Sequence, residues 1–179
     1  FREMRGNAGV AILDYTDKSS PHYGRVVSVY PRTSVPKQDF RDLLSLPAGS
    51  LTQRTLILAV RMHGENPQST EGEFHPVLAG EAEQHSSYQA RIANQGHHQF
   101  DTRFHRINRR LPGGLMVQEV VAESWPGQGL FEAALECVAS WRQSSGHWGA
   151  VRSRHPVFGY DMKRGFNRVW YATGLFARH

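Results

Sequence analysis

One cysteine in 179 residues excludes a disulfide within the chain. Cys137 lies between Glu136 and Val138 in a helix-like run, where a thiol behaves as a small core side chain rather than a nucleophile. No stretch approaches the roughly 20 apolar residues that a membrane-crossing helix needs. The longest candidate, residues 56–60, is far too short. Internal repeats and low-complexity tracts are absent. So is a signal peptide, and the chain starts at Phe1 rather than Met, as expected of a processed or trimmed product; the missing leader therefore says little about location. No short metal-ligand motif of the H-E-x-x-H kind occurs.

Hydrophobic residues make up 39% of the chain, enough for one packed domain at this length. Trp125, Trp141, Trp148 and Trp170 all fall in the second half, which places the best core there. The net charge is +5 and the sequence pI near 9.7. Such a balance suits nucleic acid only when the cations form a face with interleaved aromatics. Here they are scattered. The densest group, Arg103, Arg106, Arg109 and Arg110, has the spacing of a solvated helix face, and Phe104 among them sits at core spacing with Phe100 and Ile107. Nucleic acid is not an expected partner.

Residues 1–50 form an N-terminal extension. Val10-Ala11-Ile12-Leu13-Asp14-Tyr15 and Arg25-Val26-Val27-Ser28-Val29-Tyr30 have strand composition, and Thr16-Asp17-Lys18-Ser19-Ser20-Pro21 has turn composition, which predicts a β-hairpin. The remainder, residues 51–179, turns helical. Periodicity predicts a helix around Leu56, Ile57, Ala59, Val60 and Met62, a second over 74–92, a short third over 100–110 ended by Leu111-Pro112-Gly113-Gly114, and a fourth over 129–143. An extended apolar run, Leu115-Met116-Val117-Gln118-Glu119-Val120-Val121-Ala122, follows the third helix, and two or three strands close the chain. Helices followed by strands argue for an α+β domain rather than repeated βαβ units.

Ten histidines are many for this length. His22, His63, His75, His105 and His179 have no obvious partner. His85 falls on the apolar side of a helix, where a histidine is usually a satisfied core residue. His97, Glu119 and His147 differ, because each sits at a junction: a Gly-His-His loop, an acid inside an apolar strand, and a histidine after the helix-ending Ser144-Ser145-Gly146. An ionised Glu119 amid Val117, Val120 and Val121 is costly unless paired, and an imidazole would offset that cost. Two histidines and a carboxylate are also a first-row metal set that suits zinc.

The segments combine into a resemblance. Gly96-His97-His98-Gln99-Phe100-Asp101-Thr102-Arg103, Val117-Gln118-Glu119-Val120-Val121-Ala122 and Ala139-Ser140-Trp141-Arg142-Gln143-Ser144-Ser145-Gly146-His147-Trp148 resemble, in order, motifs of the CAP superfamily. These are the SCP-like domains of cysteine-rich secretory, antigen 5 and pathogenesis-related proteins, here in a bacterial-like form. His75-Pro76-Val77-Leu78-Ala79-Gly80-Glu81-Ala82-Glu83-Gln84-His85-Ser86 is similar to an upstream helix of that family. Phe158-Gly159-Tyr160 and Trp170-Tyr171-Ala172-Thr173-Gly174-Leu175-Phe176 look like its closing strands. The likeness spans about residues 51–177.

The resemblance implies an α-β-α sandwich with a central antiparallel sheet, and a cleft built on two histidines and two acids. His97 and His147 match the family histidines, with His98 the alternative if the motif shifts by one residue. Glu119 matches the first acid. The second acid falls on Ser144, and Val120 replaces the usual Asn. The implied function is an extracellular or envelope module that binds a lipid, peptide or cell-surface component in a cleft of His97, Glu119, His147, His98 and Ser144. No residue is assigned as catalytic. The alternative is a metal-assisted, peptidase-like hydrolase with zinc on His97, His147 and Glu119, for which His98 and Glu123 are the nearest further ligands. Ser144 and Ser145 lie beside His147 but read as helix-stop chemistry. Glu119→Ala is expected to alter binding more than melting temperature.

Overall fold

The computed structural model describes residues 9–13, 26–31, 46–111 and 113–178. The chain divides into two compact units, Phe1–Leu44 and Ser45–His179. In the first, β1 (Gly9–Leu13) pairs antiparallel with β2 (Val26–Pro31), Val10 opposite Tyr30, with a register shift between Ile12 and Leu13. The expected turn at 16–21 lies outside the described residues, as do His22, Pro112 and His179.

The second unit runs α1 (Leu51–Arg61), β3 (Glu73–Phe74), α2 (Pro76–Ile92), α3 (Phe100–Asn108), β4 (Met116–Glu123), α4 (Leu130–Gln143), α5 (Ser145–Arg152), β5 (Val157–Arg164) and β6 (Trp170–Arg178). Its four strands lie in the order β3-β5-β6-β4. β6 runs antiparallel to both of its neighbours, β4 and β5, while β3 joins parallel to β5 through Glu73 and Phe74. The sheet is therefore mixed, where a purely antiparallel one was expected.

Alternation along β5 separates the two layers of helix. Phe158, Tyr160 and Met162 enter a core with Leu56, Ile57 and Val60 of α1 and Ala134, Val138 and Trp141 of α4. Val157 belongs to the opposite core, with Leu78 and Ala82 of α2 and Ile107 of α3. The result is an α-β-α arrangement. With helices on both faces, β5 and β6 are buried almost throughout, so most of their residues are apolar or aromatic, and the buried polar side chains Asp161 and Thr173 are hydrogen-bonded to Thr52 and to Ser86 and Gln89, respectively. Fully burying each large side chain contributes roughly 1.5–3 kcal/mol. Of the four tryptophans, Trp141, Trp148 and Trp170 are in this core, whereas Trp125 is exposed.

The expected start of the second helix at Phe74 moves to Pro76. Proline is tolerated at the first helical position because that N–H has no intrahelical partner. His75 caps the end, its Nδ1 accepting the Val77 N–H at 3.3 Å. This frees Phe74 to pair with β5. Residue 72 must be glycine for the same contact, since an added Cβ would lie 2.1 Å from the His155 carbonyl oxygen.

Candidate functional site

The site is built from three junctions. α2 ends with Ala93 in the left-handed region at φ 51°, which reverses the chain into the Gly96-His97-His98 loop. Two α2 side chains hold that loop: Gln89 Oε1 accepts the Gly96 N–H at 3.1 Å, and His85 Nε2 lies 2.9 Å from the Gly96 carbonyl. Gln99, also left-handed at φ 55°, then starts α3. Arg103, one turn into α3, donates from Nη1 to the His98 carbonyl at 3.0 Å. The loop is thus tied at both ends.

Glu119 projects from the middle of β4 with its side chain fully buried. Its two oxygens are divided between two partners. Oε2 accepts from Arg103 Nε at 2.7 Å and also from Nη2, and Oε1 meets His97 Nδ1 at 3.0 Å. A carboxylate only accepts, so His97 Nδ1 carries the proton and its Nε2 is left as an acceptor in the neutral ring. That Nε2 lies 3.2 Å from His147 Nε2, which therefore donates. A directed chain results, running from His147 through the half-exposed His97 to the buried Glu119–Arg103 pair.

His147 reaches this position because the expected helix stop is also a helix start. Ser144 ends α4 in extended conformation and caps α5, its Oγ accepting the His147 N–H at 3.4 Å. His147 therefore sits in the first turn of α5, pointed by a helix rather than held in a loop. Ser144 contributes a cap, and its hydroxyl faces no imidazole base.

The structure brings His97, Glu119 and His147 together but turns His98 elsewhere. The His98 ring packs inward, 5.7 Å from Tyr88 and 6.4 Å from His85 between ring centres, and its buried Nε2 has no hydrogen-bond partner among the described residues. Glu123 is exposed at the end of β4, roughly 13 Å along the strand from Glu119. Among the described residues, no three His, Cys, Asp or Glu side chains are grouped to hold a metal ion. Both Glu119 oxygens are occupied by Arg103 and His97, which leaves two imidazole nitrogens and no third donor. The residues do not complete a zinc centre.

No family model matches the chain, and neither does any curated protein. Among solved structures, an outer surface protein from Borrelia burgdorferi aligns at 18% identity and a TM-score of 0.49, over 80% of this chain and 94% of that one.

Arg103 is the participant that composition and spacing missed. The four arginines do not form one solvated face: Arg103 is buried on Glu119, and Arg106 and Arg110 both reach the buried Glu81, Arg106 Nε at 2.9 Å. The signal was available, because Arg103 sits three residues after Phe100 and four before Ile107, on the inward side of α3.

Burial holds the His147 imidazole below the usual histidine range, with nearby His97 acting in the same direction. His85 is displaced further, down to about 4, mainly because burial disfavours its charged form. A histidine with a depressed folded pKa stabilises the fold fully above the unfolded value near 6.5, and that contribution is lost as pH falls towards the folded value. His85 alone should remove about 3 kcal/mol between pH 6.5 and 4. Urea unfolding at both ends of that window is expected to show the loss in wild type and a much smaller one in His85→Gln. An equal pH dependence in the two proteins would clear His85 of this role.

Proposed function

We propose that this chain is a CAP-like ligand-binding module, acting outside the cell or in the envelope, that takes a lipid, peptide or cell-surface component at the His97–His147 edge. One observation carries the reading: two Nε2 atoms 3.2 Å apart at an open edge, oriented by a buried carboxylate that Arg103 neutralises. Such a pair presents two imidazole rings on a rigid base, and a polar ligand engages them by replacing the bond between the two Nε2 atoms. It has no activated hydroxyl or thiol beside it, since Ser144 is a cap and Cys137 lies buried with its thiol pushed up by desolvation. The order of the resembling segments and the α-β-α layering support the same reading.

Three probes test it: a sterol carried on cyclodextrin, a short-chain phosphatidylcholine below its micelle concentration, and a small peptide. At least one is expected to shift the His97 and His147 imidazole resonances and to bind about tenfold more weakly to His147→Ala, the loss of one good hydrogen bond. Shifts confined to other parts of the molecule, unchanged in His147→Ala, would refute the assignment. Zinc titration by calorimetry separates the hydrolase alternative: micromolar binding lost in His147→Ala, together with peptide cleavage, would move the chain to that class.

A further inference from the structure

A second surface lies beyond the C-terminal end of β4, where the chain turns through Ser124-Trp125-Pro126-Gly127. The Ser124 N–H donates to the Trp170 carbonyl at 2.9 Å and the Gly127 N–H to that of Arg168 at 3.0 Å, so this turn is laced to the start of β6. The adjoining β5–β6 turn is closed by Gly165 N–H to Val169 O at 2.8 Å and Arg168 N–H to Gly165 O at 3.0 Å. Gly165 also abuts the last turn of α2, since an added Cβ there would sit 2.8 Å from the Ala90 carbonyl oxygen. One end of the unit therefore gathers two tight turns and a helix terminus.

The side chains on this end are unusual for a solvated surface. Phe166 is 82% exposed, Trp125 67% and Ile92 39%. Arg164 and Arg168 stand exposed beside them, and the ion pairs among the described residues leave both without a carboxylate, whereas the exposed Arg91 places its guanidinium over the Tyr88 ring, 5.3 Å from its centre. Glu123 is the exposed acid nearby. Two aromatic side chains on separate turns, with arginines around them, do not make the continuous apolar area that a protein partner packs against. A bilayer interface accepts isolated aromatic rings at headgroup depth, and guanidinium groups pair with lipid phosphates.

We propose that this end of the molecule docks on an anionic bilayer, with Trp125 and Phe166 entering the headgroup region and Arg164 and Arg168 on the phosphates. The surface is separate from the histidine pair and does not depend on the reading given to that pair.

The test is co-sedimentation of the full chain with vesicles of phosphatidylcholine alone and of phosphatidylcholine mixed with phosphatidylglycerol, at about 0.1 M salt. Wild type is expected to pellet with the anionic vesicles, more weakly as salt rises, and to show a blue-shifted tryptophan emission. That shift reports on Trp125, because the other three tryptophans are at most 8% exposed. The double variant Arg164→Gln/Arg168→Gln should partition roughly thirtyfold less, about fivefold per arginine. Trp125→Ala/Phe166→Ala should lose both binding and blue shift while keeping the wild-type melting temperature, since neither side chain is packed. His147→Ala should bind vesicles as wild type does. Vesicle binding unchanged in the two double variants would overturn the proposal. So would an absence of wild-type pelleting, or a lipid-free dimer that Trp125→Ala/Phe166→Ala dissolves.

Discussion

Glu119→Ala is expected to destabilise the fold by about 3–5 kcal/mol, a fall in melting temperature of about 10 °C or more. Removing the carboxylate leaves Arg103, itself buried, as an unpaired guanidinium beneath the sheet. It also frees His97 Nδ1 and so the loop that α2 and α3 hold in place. The sequence alone suggested the opposite weighting, with Glu119→Ala acting mainly on binding. The structure shifts it because the principal partner of Glu119 is a buried cation rather than a ligand-facing imidazole. Glu119→Gln should lose less, since an amide oxygen can still accept from Arg103. Replacing both residues together by leucine should cost less than the sum of the single changes, because no orphan charge remains. Urea unfolding at pH 7.5 measures all of these, and a Glu119→Ala loss under about 1 kcal/mol would show that the ion pair contributes little.

Gly159→Ala should be nearly as damaging, at about 3 kcal/mol. An added Cβ would lie 2.3 Å from the Ala79 backbone nitrogen and 2.4 Å from the Leu78 carbonyl carbon. Both are main-chain atoms of α2 packed on β5, so no flexible side chain can give way and the helix must retreat. That retreat reaches the candidate site, because α2 carries Gln89 and His85, which hold the Gly96 backbone. The expected result is a loss of stability together with broadened His97 resonances. Gly149→Ala is the control: nothing lies within 4 Å of its added Cβ, and an alanine inside α5 should be neutral or stabilise by about 0.5–1 kcal/mol. A Gly159→Ala protein as stable as wild type would mean that α2 and β5 are less closely seated than described.

Much of the local architecture was legible before any coordinates. The strand around Glu119 was visible as an apolar run, Leu115 to Ala122, with one acid in it, and the cost of burying that acid required a partner. α4 was readable from its periodicity, and the aromatic composition of β5 and β6 marked them as strands. Some segments suit two local structures, and their partners decide between them. Ser144-Ser145-Gly146 can end one helix or begin the next, and only the hydroxyl's bond to the His147 N–H shows that it does both. Phe74-His75-Pro76 could open a helix or close a strand, and the pairing with Phe158 decides for the strand.

The sequence by itself determined which residues prefer helix or strand, which faces are apolar, and that Glu119, His97 and His147 stand at exceptional places in that pattern. Only the tertiary structure decided their partners. Glu119 and Arg103 are 16 positions apart, and His97 and His147 are 50 apart. Periodicity tells which side of an element a residue occupies, but it carries no information about which side chain of another element will meet it. That is set by the register of β4 in the sheet, the left-handed turns at Ala93 and Gln99, and the cap on α5. These geometric choices turned His97 towards His147 and the adjacent His98 into the packing against α2.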